Sequence, residues 1–599
     1  MFDDERAAIK LRSLFPGRGG AIRTRVLAAL LLVGMLSVVA GGQNSFVAIP
    51  PQLEPRYHIN FARTFFAGPE AEKADRENLS ATLKALEALK GRIAGSADNL
   101  ERALQLSDRV KMQASKHSSY LYLRNAVDTN DEASLADGSA LDAEVTRRAA
   151  FVRQELIGMD DRALASLVVR KPQLKAYLPA IEAIRRYRSH TLSLKEEELL
   201  SALAPDNDWQ FELYDKLRAL TPVSPLQRDL YAFSLLRLAR ARTRFAEVHH
   251  FADAASEVYF NSYWTRAEVD ALVEQIDGKI DLYKRYQGIR ATFAKKKGST
   301  EKLLGESLPR FAIDQASEII RNALAPLGAN YARELAALLD PANGRMDIVP
   351  GEHRKRGGFS KGFIGTDSVF YSGGFRGYYN DVRVLTHEST HAIHRQLMNR
   401  GQVLPAYAEG PHYLFESFAI FSEFLLPDYL YNNETDPLRK QYYLEQFLDG
   451  KGMIMFVVAP EVALEHSVYD GLKHGSIKGA DDLDALTRRI YSRYSNSPQK
   501  QDELKSQWMN IGLMYEDPFY DANYIYGAVL ALKFYEMYTR DRERFIPRYI
   551  ALMRNGFDAP PPVLLKRFLE IDLNDPRLVS TALSILEDKV SLLEESYQH

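Results

Sequence analysis

Between Glu70 and about Asp340, leucines recur mostly at steps of three and four, as in Leu79, Leu83, Leu86 and Leu89 and again in Leu100, Leu104 and Leu106. This spacing constrains the fold more than any other feature. Residues three or four apart share one face of an α-helix, so the run predicts a succession of long amphipathic helices packed on one another. The breaks coincide with turn chemistry at Asp128–Asp131, Ala204–Asp208 and Asp340–Gly344, none of them a long flexible linker. The texture changes between Met346 and Asn380, where glycines, aromatic residues and short β-like runs predict one small sheet. Helical patterning resumes at Asp381. The expected fold is therefore mainly α, and no repeat points to a solenoid.

Composition narrows the chemistry. The chain has no cysteine, which excludes a disulfide scaffold, thiolate zinc, iron–sulfur ligation and a cysteine nucleophile together. Any metal must be held by His, Asp or Glu. Lys+Arg 77 against Asp+Glu 79 gives a net charge of −2, so no basic field marks a nucleic-acid binder. Neither glycine-rich phosphate motif lies between a strand and a helix, which argues against nucleotide binding. At the N-terminus, Arg18, Arg23 and Arg25 precede the uncharged run Val26–Ala40, followed by Gly41 and Gly42. At about 15 residues the run falls short of the roughly 20 that span a bilayer, and it reads as a secretory signal. The alternative is an uncleaved anchor over residues 26–42. The expected location is exported, periplasmic or otherwise extracytoplasmic, with membrane contact only if the segment is retained. The expected organisation is a signal or anchor over 1–42, a helical N-terminal lobe over 43–340 and a second lobe over 341–599.

The sharpest motif is His387-Glu388-Ser389-Thr390-His391. On a helix both imidazoles share a face and can reach one ion, while Glu388 lies one step round toward its open side. With 13 histidines in the chain, composition alone would produce such a pattern about 0.02 times. The flanking Val382, Val384, Leu385, Ala392 and Ile393 suit a buried helix. Zinc needs a third protein ligand and an open position for water. Glu416 is the candidate, after a loop with Gly401, Pro405, Gly410 and Pro411 that is long enough to reverse the chain. Glu416 and Glu423 lie seven apart among Phe415, Phe418, Phe421 and Phe424, where an unpaired carboxylate is expensive to bury. Ligation removes that cost for Glu416. For Glu423 two readings stand, a second partner behind a ligating imidazole or a side chain that reaches solvent.

These motifs resemble the thimet oligopeptidase and oligoendopeptidase F group of zinc metallopeptidases, most of all the oligoendopeptidase F side. The family pattern is similar to His387, His391 and Glu416 in order and separation, to the basic, glycine-rich stretch Arg354–Phe359 ahead of the motif, and to the lead-in Asn380-Asp381. A weaker likeness covers Tyr177–Arg186 and His190–Leu200. The resemblance spans roughly residues 75 to 590 and implies a two-lobed helical peptidase with a deep central cleft, the small sheet next to the zinc helix and one Zn²⁺ per chain. Its substrates would be short unfolded peptides, cleaved internally. It also implies a substrate role for Pro518–Gly527, where Tyr520 and Tyr524 rank as catalytic hydrogen-bond donors to the oxyanion and Tyr526 and His412 as substrate contacts. The plain alternative for each tyrosine is packing with the hydroxyl toward solvent.

Two departures stand out. Thr390 replaces a glycine usual before the second motif histidine, a branched side chain expected to narrow the cleft or disturb helix packing. A histidine usual just ahead of the tyrosines is missing, with Tyr515 and Pro518 in the plausible positions, while His394 reads as structural. Asp367–Gly374 is expected to offer a strand edge to an extended substrate. The rival to a metallopeptidase is a catalytically silent zinc-binding or peptide-binding helical protein, but ligands and base are all present.

Overall fold

The computed structural model describes residues 46–598 apart from 204–208, 221–222 and 497–502. The signal or anchor segment and the turn expected at Ala204–Asp208 lie outside the described residues. Among the described residues, no helix is long and apolar enough to cross a membrane. The elements that position the site are, in chain order, α1 (Ala97–Val127), α2 (Glu132–Gly158), α3 (Pro225–Val248), α4 (Arg266–Asp277), α5 (Ala329–Leu339), β1 (Met346–Asp347), β2 (Gly358–Phe363), β3 (Thr366–Ser372), α6 (Tyr379–Arg400), α7 (His412–Asn433), α8 (Ile454–Lys473) and α9 (Ala522–Arg540).

The leucine stripe does what its spacing predicts. Leu79, Leu83, Leu86, Leu100, Leu104 and Leu106 are buried in one core with Val145, Val152 and Leu156 of α2, and Leu89 packs at its margin. Ser96 caps α1 by accepting from the Asn99 amide, and Asp131 caps α2 by accepting from that of Ser134. Each cap satisfies an amide that the first helical turn leaves unpaired. A second core gathers Tyr214, Tyr231 and Leu235 with Leu464, Val468, Trp508 and Tyr515.

The predicted sheet has three strands in the order β1-β3-β2. β1 runs parallel to β3, with Met346 opposite Phe370 and Asp347 opposite Tyr371. β2 and β3 form an antiparallel hairpin from Gly358 opposite Ser372 to Phe363 opposite Thr366. The expectation that Asp367–Gly374 offers a free edge is therefore corrected in part: β3 is central, with β2 along its length and β1 on the other side at Phe370 and Tyr371, and the open edge of the hairpin falls on β2. Phe359, Val369 and Tyr371 pack onto Tyr122, Leu123 and Ala126 of α1. On the α6 side, Gln396 Nε2 donates to Asp367 (2.8 Å) and Arg395 to the Ser360 hydroxyl (2.8 Å).

Two compact units result, and they do not follow the contiguous division expected at residue 340. One comprises the described residues of Met1–Pro205 with Arg310–Gly410 and Pro547–Pro560; the other comprises those of Asp206–Pro309, Pro411–Ile546 and Pro561–His599. Packing and backbone bonding, not chain order, decide the grouping. Ile313 N donates to Ala48 O (2.9 Å), holding the N-terminal segment to the chain ahead of the sheet, and Lys355 N donates to Ala126 O (2.9 Å), tying the sheet region to α1. Far downstream, Phe557 N donates to Tyr407 O (2.9 Å), and the Phe557 ring fills the space that a Cβ on Gly410 would take. Gly410→Ala should therefore lower stability by about 1–3 kcal/mol, as overpacking does. Gly158→Ala, at an open position ending α2, should stay within about 1 kcal/mol of wild type or exceed it. Denaturant titration of the two variants checks the contrast.

Candidate active site

The α6 helix starts where the Asp381 carboxylate accepts from the backbone amides of Arg376 (2.9 Å) and Tyr378 (3.1 Å), an acidic group at the positive end of the helix dipole. From there Val382, Leu385, Ala392 and Ile393 are buried, as the flanking apolar residues predict, and Leu397 with them, while Val384 is half-buried. The motif is buried with them: His387, Glu388 and His391 are 3%, 5% and 4% exposed, and Glu416 on α7 is 7% exposed. His387 Nε2 and His391 Nε2 lie 3.1 Å apart. One ligand atom from each of His387, His391 and Glu416 lies within 4.8 Å of the others, and no other such group of three occurs among the described residues.

These distances suit a small cation. With metal–nitrogen bonds of about 2.0–2.1 Å, two ligands of a tetrahedral ion sit about 3.3–3.4 Å apart, close to the imidazole separation. The donor set is two neutral-capable nitrogens and one carboxylate oxygen, the open arrangement of a catalytic zinc site. Beside it, β2 comes unusually close. A Cβ on Gly358 would lie 2.5 Å from Val384 Cγ1 and 3.7 Å from Glu388 Cγ, so only a residue without a side chain lets the strand cross the helix there.

Thr390 does not act as expected. It is fully buried, its hydroxyl donates to Thr386 O (3.1 Å) and it accepts from the Tyr331 hydroxyl of α5 (3.1 Å). The branched side chain is thus built into the packing of α6 on α5. Nothing in the sequence marked Tyr331 as its partner, because that pairing joins residues far apart in the chain. His394 is buried, and burial holds its imidazole well below the ordinary range, in its neutral form.

On α7, Phe415, Phe418, Phe421 and Phe424 are buried around the two glutamates. Glu423 does not reach solvent; it is buried with its carboxylate 3.9 Å from Lys451 Nζ, a cation that offsets its charge. Lys451 carried no sequence signal. α9 packs on α7 at Glu416, where a Cβ on Gly527 would lie 3.2 Å from Glu416 Cβ. One turn earlier on α7, the ring of His412 sits edge-on to that of Tyr520 at 5.7 Å, and Tyr520 in turn meets Tyr524 at 5.4 Å. Tyr520 is half-buried and lies in the turn before α9, not within the helix. Tyr526 points elsewhere, stacked on Trp264 at 4.0 Å and against Tyr413 at 5.7 Å. Tyr515 is stacked on Tyr214 at 4.1 Å inside the second core.

Comparison with known proteins gives the same picture from another direction. Family models described as Oligopeptidase F and Peptidase family M3 match residues 155–218 and 339–581. The chain is 22% identical over 584 residues to Oligopeptidase PepF of Bacillus subtilis, covering 88% of this chain and 86% of that protein. Among solved structures, an oligoendopeptidase-F from Enterococcus faecium superposes with a TM-score of 0.62 at 20% identity, covering 88% of this chain and 98% of that one. PZ peptidase A gives a TM-score of 0.61 at 15% identity, with 87% and 97% covered. These two likenesses establish the fold.

Two measurements follow from the geometry. Glu416→Ala should lower the divalent metal retained after dialysis, read by elemental analysis, with helical content unchanged. Thr390→Val removes the acceptor of a buried tyrosine hydroxyl and should cost about 1–3 kcal/mol in chemical denaturation without changing metal content.

Proposed function

The chain belongs to peptidase family M3, on its oligopeptidase F side, and is a metallo-oligopeptidase; on that premise we propose that it cleaves internal bonds of short unfolded peptides with one zinc ion held by His387, His391 and Glu416. The observation that carries this reading is the convergence of two imidazole nitrogens and a carboxylate beside the buried Glu388. A zinc ion bound there would supply Lewis acidity to the scissile carbonyl and to the attacking water.

The protein side of the reaction is then divided among few groups. Glu388 takes the proton as the water oxygen bonds to the carbonyl carbon, and gives it to the amide nitrogen as the carbon–nitrogen bond breaks. Tyr520 and Tyr524 donate toward the oxyanion, where preorganised donors are worth several kcal/mol. Their mutual contact and the position of His412 beside Tyr520 support that role. His412 orients substrate with Tyr520, while Tyr526, stacked on Trp264, supports the segment from behind. An extended peptide would pair with the β2 edge, which runs past Glu388 at Gly358.

The basic residues ahead of Val26–Ala40 support export to an extracytoplasmic compartment. N-terminal sequencing of the recovered protein tests this, since an intact terminus in the membrane fraction would make the segment an anchor. For the chemistry, Glu388→Gln should keep its zinc and lose hydrolysis of a quenched peptide, and turnover at the wild-type rate would overturn the base assignment. Tyr520→Phe and Tyr524→Phe should each lower kcat by about 10- to 1,000-fold with zinc retained.

A further inference from the structure

The tyrosines depend on a backbone that does not hold itself. Phe519, the residue before Tyr520, has φ +67°, a left-handed conformation that is unfavourable for a bulky side chain. Such a conformation persists only where the surroundings over-determine it. Here they do so twice. The Phe519 amide donates to Glu465 Oε2 of α8 at 2.8 Å, a fully buried bond. The Phe519 ring sits among Tyr469 (4.6 Å), His466 (5.8 Å) and Tyr259 (5.9 Å). That socket is itself braced, since the Tyr259 hydroxyl meets His466 Nε2 at 2.7 Å and His466 Nδ1 meets Asp270 of α4 at 2.6 Å.

We infer that Glu465 is a positioning residue for the reaction: its carboxyl fixes the Phe519 amide, and through that bond it sets the direction in which Tyr520 and Tyr524 are presented. The inference rests on the oxyanion role of those tyrosines. Glu465 is 1% exposed, on an apolar helix, and its other oxygen has no hydrogen-bond partner. A carboxyl buried in this way has no use as a surface charge. Burial, and then the nearby carboxyls of Asp521 and Asp517, push it well above the ordinary range, against the opposing pull of the Phe519 amide and of Arg242 on α3. Glu461, one turn earlier on α8, is also raised. The bond to the Phe519 amide needs one accepting oxygen, which a carboxamide also offers, so glutamine should replace it.

The test uses the zinc-loaded full chain. Glu465→Met, close in volume but without an acceptor, should lower kcat at least tenfold with KM within twofold and zinc content unchanged. Hydrogen exchange at Phe519 should quicken. Glu465→Gln should restore kcat to within twofold of wild type. In a background carrying both Tyr520→Phe and Tyr524→Phe, Glu465→Met should add little, because the groups it positions are already gone. If Glu465→Met does not fold, Glu465→Asp, whose carboxyl is withdrawn by one methylene, carries the same expectation. Wild-type kcat in Glu465→Met alongside an impaired Tyr520→Phe overturns the inference alone. So does a Gln variant as impaired as Met, or a Glu465→Met effect that is fully additive in the background lacking both hydroxyls. Wild-type kcat in both Tyr520→Phe and Tyr524→Phe removes the tyrosine reading and takes this inference with it.

Discussion

The proposed chemistry depends on three atoms able to bind a metal ion, brought within 4.8 Å of each other. Two of them come at no geometric cost, because positions four apart on a helix are neighbours in space. The third is expensive. Glu416 sits in a helix lined with phenylalanines, and a carboxylate there is tolerated only with a compensating partner. Surrounding structure is organised to meet that demand: a capped and buried α6, and a glycine in α9 that allows close approach at Glu416.

Around this centre the same device recurs, a polar group taken out of water and given a specific partner. Thr390 meets Tyr331, Glu423 has Lys451 near it, and Glu465 receives the Phe519 amide. Each pairing joins segments distant in sequence and ties them together more specifically than apolar packing alone does. The glycines play the complementary part. Gly358 admits a strand to a distance that a side chain would forbid, and Gly527 lets α9 approach Glu416 where a Cβ would be tight.

How much of this was legible in the sequence follows from how local each signal is. Helical spacing and turn residues are local, and they placed the leucine core, the break at Asp128–Asp131 and the small sheet. The paired histidines and Glu416, which the structure brings together, stood out because a metal site would impose both residue type and spacing. Strand order was not: Asp367–Gly374 reads as a strand, but only the pairing of Met346 with Phe370 reveals that it is central. Nor was the solvent alternative for Glu423 separable from burial without Lys451 in view. Thr390 reads as an intrusion until Tyr331 is placed beside it. Glu461 and Glu465, two carboxylates four apart in the apolar run Ile454–Leu472, carried the same hint as Glu416 and Glu423. Phe519 carried none, since a left-handed backbone at an aromatic residue leaves no trace in composition.

The interleaved path of the chain has a consequence for its biosynthesis. The unit that holds α6 is closed by Phe557, whose ring and amide engage Gly410 and Tyr407. Contacts between such remote positions cannot form on a nascent polypeptide until Phe557 itself has left the ribosome, whatever the earlier helices have already done. Until then the loop that leads from the two histidines toward Glu416 lacks its clamp, so a truncated product ending before that phenylalanine would be a helical body with the chain at Tyr407 and Gly410 left unfastened.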